Sequence, residues 1–421
     1  MNSPPIPPPV RTTLGAVTTT IASVLPVFLL GGLAVQVGAE LGFSPAGLGV
    51  AVSIYFGVSA LTSVPAGALV ERLGAAVTAR TAIVLATGCL LAIAAARSFP
   101  MLVAVLAAGA AANGLGQLSS NAALNRVPAG RQGLSFGIKQ SAIPVATLLA
   151  GASVPAVALT LGWRWAFAIA AVLAAGALAL VPPDGRARRR HPTGTETAST
   201  PPSPGSRNDP DQPRTATGAL VVIGLAVALG AAAAGSMGTF LVDSAVSRGL
   251  APGTAGLTLT LGSAACVAAR IGGGWLADRR GTHGDVTTVA VLLAVGAVGL
   301  ALLAASGPVA LAVGVLLGFG FGWAFPGLVN VAVVQLHPHA PAAATSITQT
   351  GVYAGGCAGP LAFGAVAAGP GYPTAWLGAA VAMLLGAGLI LLGRQLLHRH
   401  PRGGRAGHPA TPRPSSPVPE R

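Results

Sequence analysis

Lys139 is the only lysine in a chain with 24 basic residues, and it falls inside an apolar run. Arg270 is the other basic residue so placed. An ammonium in such a run costs a few kcal/mol unless water or a partner serves it. Unlike a guanidinium, it can lose its proton when desolvated. Arg270 precedes Asp278 by eight residues, about 12 Å along a helix, and its fork can grip a carboxylate through two bonds. Two cations with no carboxylate deep in the apolar runs could hold an anion or a strongly polarised solute. Plainer roles exist for both. Lys139 could snorkel from a depth of about 8 Å, and Arg270 could form an ion pair that ties helices together.

Four amides could complete such a site. Gln140 and Gln349 are separated by 349 − 140 = 209 residues, and Asn121 and Asn330 by 330 − 121 = 209. Hydrogen bonding between helices is an equal alternative for them. Among the few acids, Asp243 near a helix end is the candidate for proton coupling, against a solvated helix end, while Glu40 belongs to a loop. No catalytic set converges. Gly133-Leu-Ser135-Phe-Gly137 fits a nucleophile-elbow spacing, but it opens an apolar run, and all seven histidines lie in loops or tails. Cys89, Cys266 and Cys357 sit in apolar runs as small packing residues. Neither a metal nor a cofactor is expected.

The elements that must position these residues are membrane spans. The chain has 421 residues, 52% hydrophobic and 8% charged, with a mean hydropathy of +0.72. A soluble domain carries roughly 25% charged residues, so the class is a polytopic membrane protein in a lipid bilayer. The net charge of +14 does not imply nucleic acid, because its placement follows topology. Twelve spans are expected, near 13–37, 47–69, 77–96, 100–124, 134–156 and 164–182, then 216–243, 251–277, 286–305, 308–334, 342–368 and 373–393. A Pro/Ser/Arg-rich linker at 183–215 divides two bundles, 13–182 and 216–396. Disordered tails are expected at 1–12 and 397–421. With both termini inside, nineteen arginines face the cytoplasm and only Arg97, Arg164 and Arg248 face outward, which fixes the orientation in the cell membrane. The third, sixth, ninth and twelfth spans are nearly pure hydrocarbon. Polar side chains gather elsewhere, at Thr18, Thr19, Thr20, Asn113, Gln117 and Asn121 among others. Plain spans suit the outside of each three-helix unit.

The halves repeat. Gly67-Ala-Leu-Val-Glu71-Arg72-Leu-Gly74 and Gly274-Trp-Leu-Ala-Asp278-Arg279-Arg-Gly281 share the pattern G-x-x-x-acid-R-x-G, 274 − 67 = 207 residues apart. Two six-helix halves, a middle linker and this doubled turn after spans two and eight resemble the major facilitator superfamily over about residues 12–395. Glu71 replaces the usual Asp. Ala75 and Ala76 stand where many members carry basic residues. The glycine-rich helix-five signature of drug exporters is replaced by Gly137-Ile-Lys139-Gln140-Ser-Ala-Ile-Pro144. The resemblance implies an all-α fold of two pseudo-symmetric six-helix bundles and alternating access to a site near the midplane. It also implies that the glycine-acid-arginine turns latch the cytoplasmic side. The expected function is secondary transport of a small organic anion or polar solute by a monomer. The alternative is proton-coupled export of hydrophobic compounds, and a multi-span enzyme or channel is the reading from another class.

Overall fold

The computed structural model describes residues 8–124, 137–182, 214–280, 286–329 and 341–398. The expected linker and tails therefore fall largely outside the described residues. Among those residues every regular element is helical, and twelve helices are long and apolar enough to cross a membrane. In chain order these are α1 Val10–Gly32, α2 Pro45–Leu73, α3 Ala75–Ala94, α4 Phe99–Leu124, α5 Gly137–Ala158 and α6 Trp163–Leu180. The second set is α7 Gly218–Ser247, α8 Pro252–Leu276, α9 Val286–Ala304, α10 Pro308–Val329, α11 Ile347–Ala368 and α12 Tyr372–Leu396. A short helix, Ala34–Leu41, continues from α1.

The ends of these helices follow local chemistry. Ser44 caps α2 by accepting from the Gly47 amide at 3.5 Å, with Pro45 at the first helical position. Ser98 does the same for α4 through the Met101 amide at 3.4 Å. Gly74, at φ +85°, ends α2 and starts α3 in a conformation that L side chains rarely adopt.

Repetition is visible in the element boundaries. The helices carrying α2 and α8, Pro45–Leu73 and Pro252–Arg280, are each 29 residues long. Helix α4 begins at Phe99 and α10 at Pro308, and 308 − 99 = 209. Helices α6 and α12 begin at Trp163 and Tyr372, and 372 − 163 = 209. Both members of the α4/α10 pair are interrupted at matching places. The first helix of α4 ends at Gly109, and α10 enters a π-turn at Gly318, with 318 − 109 = 209.

The two bundles meet along α1, α2 and α5 of the first and α7, α8 and α11 of the second. The plain helices α3, α6, α9 and α12 pack within their own bundles, away from this seam. Lipid offers no hydrophobic drive for helix association, so close approach between small residues must hold the helices together. A Cβ on Gly49 of α2 would sit 2.4 Å from the Pro360 carbonyl of α11, and one on Gly151 of α5 would sit 2.6 Å from the Gly256 carbonyl of α8. A Cβ on Gly31 of α1 would lie 2.9 Å from the Gly238 carbonyl of α7. All three positions lie toward the end of the bundle opposite the glycine-acid-arginine turns. Hydroxyls add cross-seam bonds. Thr147 and Ser263 share a hydrogen bond of 2.8 Å, and Ser53 donates to the Cys357 carbonyl at 2.6 Å.

Thr19 and Thr20 are buried on α1. Thr19 donates to the Gly15 carbonyl at 2.6 Å and Thr20 to that of Ala16 at 2.9 Å, and Thr20 also bonds Ser120 on α4 at 3.1 Å. These hydroxyls are spent inside the first bundle, because a buried threonine finds its nearest acceptor on its own preceding turn.

Candidate functional site: two buried cations at the seam

Lys139 and Arg270 come from different bundles and are both buried, 3% and 6% exposed. Lys139 is in α5, and its Nζ donates to Oε1 of Gln117 on α4 at 2.6 Å. Arg270 is in α8, and its guanidinium is held by main-chain carbonyls. Nε and Nη2 donate to the Trp323 carbonyl on α10, and Nη1 donates to the Gln140 carbonyl on α5. Gln140 adjoins Lys139, so the two cations stand within electrostatic range of each other. Helices α5 and α8 allow this because a Cβ on Gly137 would lie only 3.6 Å from the Cα of Gly274.

The acceptors holding these cations are neutral. Arg164, in the first turn of α6, pairs with Glu40, and neither belongs to this site. A guanidinium has five N–H donors, and three are used on carbonyls with the Cys266 thiol also in bonding contact; an ammonium has three, and one is used on Gln117. The remaining donors and the uncancelled charge are what an anion needs. Both residues lie in the half of their spans nearer the glycine-acid-arginine turns.

The Trp323 carbonyl is free for Arg270 because α10 breaks there. Gly318–Gly322 forms a π-turn, and the Trp323 amide bonds back to the Gly318 carbonyl at 3.0 Å. Such turns leave carbonyls outside the regular ladder and are frequent at functional sites.

The other expected residues are dispersed. Gln349 sits on α11, hydrogen-bonded to Tyr353. Asn121 lies near the end of α4, and Asn330 is outside the described residues. Asp243 lies at the far end of α7, where it accepts a hydrogen bond from the Tyr372 hydroxyl at the start of α12. Next to it, the Trp376 indole donates to Ser244 at 2.8 Å. In the first glycine-acid-arginine turn, Glu71 and Arg72 are exposed. A Cβ on Gly67 would meet only Leu118, at 4.0 Å. In the second, Asp278 belongs to the last turn of Pro252–Arg280, Arg279 lies over the Trp275 ring at 5.2 Å, and Gly281 is outside the described residues.

Two of the three arginines expected on the outside have structural partners. Arg164 donates to the Ala96 carbonyl at 2.8 Å, at the end of α3. Arg248 donates to the Leu303 and Ala305 carbonyls at the end of α9. The acceptors Ala96 and Ala305 are again 305 − 96 = 209 residues apart. Each cation sits where helix carbonyls carry partial negative charge. Glu40 accepts from Arg164 and from the Trp163 indole, and these bonds, Arg164 first, hold its carboxyl below the usual carboxylate range. Burial pushes the Arg248 guanidinium down from its ordinary value.

Sequence reasoning placed Lys139 and Arg270 but did not place Gln117 or Trp323 in the site. The alternating glycines of Gly318-Phe-Gly-Phe-Gly322 were the available signal for the break in α10.

Known proteins agree with this architecture. Residues 14–360 match the Major Facilitator Superfamily. No curated protein sequence matches the chain. Among solved structures, a bacterial homologue of the human lysosomal transporter Spinster is similar in two forms. Its inward-facing, occupied form has a TM-score of 0.67 at 15% identity, covering 94% of this chain and 99% of that one. Its inward-facing, unoccupied form has a TM-score of 0.70 at 14% identity, with the same coverage. The human organic anion transporter MFSD10 (TETRAN) has a TM-score of 0.62 at 18% identity, covering 93% of this chain and 100% of that one. At these identities the likeness is one of fold. With the repeated halves, the twelve spans and the sequence match together, this chain belongs to the Major Facilitator Superfamily and is a secondary transporter, not an enzyme.

Proposed function

We propose that the protein carries a small organic anion by alternating access, with Lys139 and Arg270 as its charge partners. The observation that supports this most is a pair of buried cations, one from each bundle, held only by neutral acceptors. Burying charge is expensive, and a solute that supplies the missing negative charge recovers part of that cost. A carboxylate between the two would contact both bundles at once, so its binding energy would depend on how the bundles sit. Gln140 and Gln349 are the amides that could orient the rest of the solute, with Asn121 nearer the end bearing the glycine-acid-arginine turns and Asn330 as its counterpart in sequence. Asp243, bonded to Tyr372, is the candidate proton site. Glu71, Arg72, Asp278 and Arg279, with Gly67, Gly74, Gly274 and Gly281, are the candidate latch. That end faces the cytoplasm in this reading, with both termini inside the cell membrane and a monomer as the working unit. One structural neighbour is described as an organic anion transporter, which accords with the proposal.

Ligand stabilisation of the purified protein tests this reading. Melting would be followed with a panel of carboxylates, sulfonates, organic cations and neutral amphiphiles. The expected result is that one or more anions raise Tm in the native protein and not in Lys139→Ala. Stabilisation by cations or neutral amphiphiles alone, equal in both proteins, would instead favour export of hydrophobic compounds.

A further inference from the structure

Trp323 joins the cation site to the closed end of the seam. Its carbonyl is the main acceptor for Arg270. Trp323 is 6% exposed, and its ring reaches the other bundle, edge-on to Phe28 of α1 with ring centroids 5.8 Å apart. Phe28 in turn meets Phe56 of α2 at 6.4 Å, and Phe56 lies against Gly356 of α11, where a Cβ would come within 3.2 Å of its ring. The same indole fills the space above Gly238 of α7, 2.8 Å from where a Cβ would stand. Within α10, Phe319 backs the indole edge-on at 5.4 Å, and Trp323, at the exit of the π-turn, is the ring that reaches Phe28.

A π-turn holds one residue more than regular helix over the same rise, and regular α-helix is the alternative form of the same segment. Relaxing to α-helix would rotate residue 323 by about 100° and carry the ring off Phe28. The glycines at 318, 320 and 322 lower the barrier to either form. What favours the present form is the pair of charged hydrogen bonds that Arg270 makes to the carbonyl of the same residue.

We propose that Trp323 is a plug across the middle of the seam that bars the way to the end opposite the glycine-acid-arginine turns, and that Arg270 is the positioning residue that holds it there. A solute that takes over the guanidinium fork therefore loosens the plug, which links occupancy to movement of the bundles. The proposal rests on alternating access in this fold and does not depend on which solute is carried.

Spin-label distances in the empty protein test it. One pair, Leu161→Cys with Val309→Cys, reports the end opposite the glycine-acid-arginine turns, where both residues are exposed (61% and 74%). A second pair, Val77→Cys with Leu392→Cys, reports the other end. Cys357→Ala removes the half-buried native thiol. In Trp323→Ala and in Arg270→Gln, the first pair is expected to gain a population longer by up to about one helix width, ~10 Å. The second pair should shorten. Phe321→Ala, in the same turn but half-exposed, should leave both unchanged. Unchanged distances in the first two variants would overturn the proposal. So would a broadening of both pairs together, because that is general loosening, or the same rocking in Phe321→Ala. No solute is added, so failure here leaves the anion reading standing, and failure of the anion reading leaves this one standing.

Discussion

Lys139 and Arg270 differ in what they demand of a partner. Lysine is a point charge with rotatable donors, whereas arginine presents a planar fork. Lys139→Arg would keep the charge but cannot pack the same way against Gln117, while Arg270→Lys loses the geometry that spans the Trp323 and Gln140 carbonyls. Arg270→Lys is therefore expected to lower solute affinity by about tenfold or more, the usual scale for losing a charge-assisted bond, as read by titrating the stabilising anion. Lys139→Ala should cost at least as much, and its effect should fade at high ionic strength less than that of any exposed arginine.

Glu40 allows a prediction from pH. Its carboxyl is held below the ordinary value of 4.5 by Arg164 and Trp163. A depressed folded value means the contribution is present above 4.5 and is lost as the pH falls through the folded value. Glu40→Gln should melt below the native protein at neutral pH, by about 2 °C or less because the pair is exposed. The gap should shrink as the pH drops below 4.5. A gap that is constant with pH would mean that Gln changes packing rather than charge.

Helices α5 and α8 approach through glycine near both ends, at Gly137 beside Gly274 and at Gly151 beside Gly256. Gly151 faces the Gly256 carbonyl, and both surfaces are backbone, so neither can give way. Gly151→Leu is expected to leave a folded protein with the seam wedged open and uptake reduced by about tenfold or more. The Leu161/Val309 label pair would show it as a long distance. Normal uptake in this variant would show that the seam need not close for transport. Helix existence, number and approximate bounds were legible in the sequence because an apolar run of span length has few other fates. The interruptions in α4 and α10 were not. Hydropathy is indifferent to whether an apolar glycine-rich turn is α or π, and that choice depends on what the freed carbonyl meets. Trp323 was hidden for the same reason, since its role in the site is carried by its backbone.

At the scale of the molecule, the fold is two similar bundles joined along a seam that is tight toward the end opposite the glycine-acid-arginine turns. The 209-residue offset that pairs Gln140 with Gln349 also pairs the starts of α4 and α10 and the arginine-capped ends of α3 and α9. Duplication was legible from motifs because symmetry repeats spacing. The two cations were legible because charge is rare in an apolar chain. What each cation touches was not legible, because Lys139–Gln117 and Arg270–Trp323 are contacts between segments remote in sequence. The cations also break the symmetry. Lys139 is in α5 and Arg270 in α8, so each bundle brings one charge, and neither bundle is expected to bind a carboxylate well alone.

Uptake of labelled organic anions into sealed vesicles containing the purified protein tests the central claim most directly. Native protein, Lys139→Ala and Arg270→Gln would be compared with empty vesicles. The account predicts that at least one carboxylate or sulfonate accumulates with native protein, and that both variants lose most of that uptake while remaining folded. Transport of the same anion at native rates by either variant would contradict it, as would a panel in which only cations or neutral amphiphiles move.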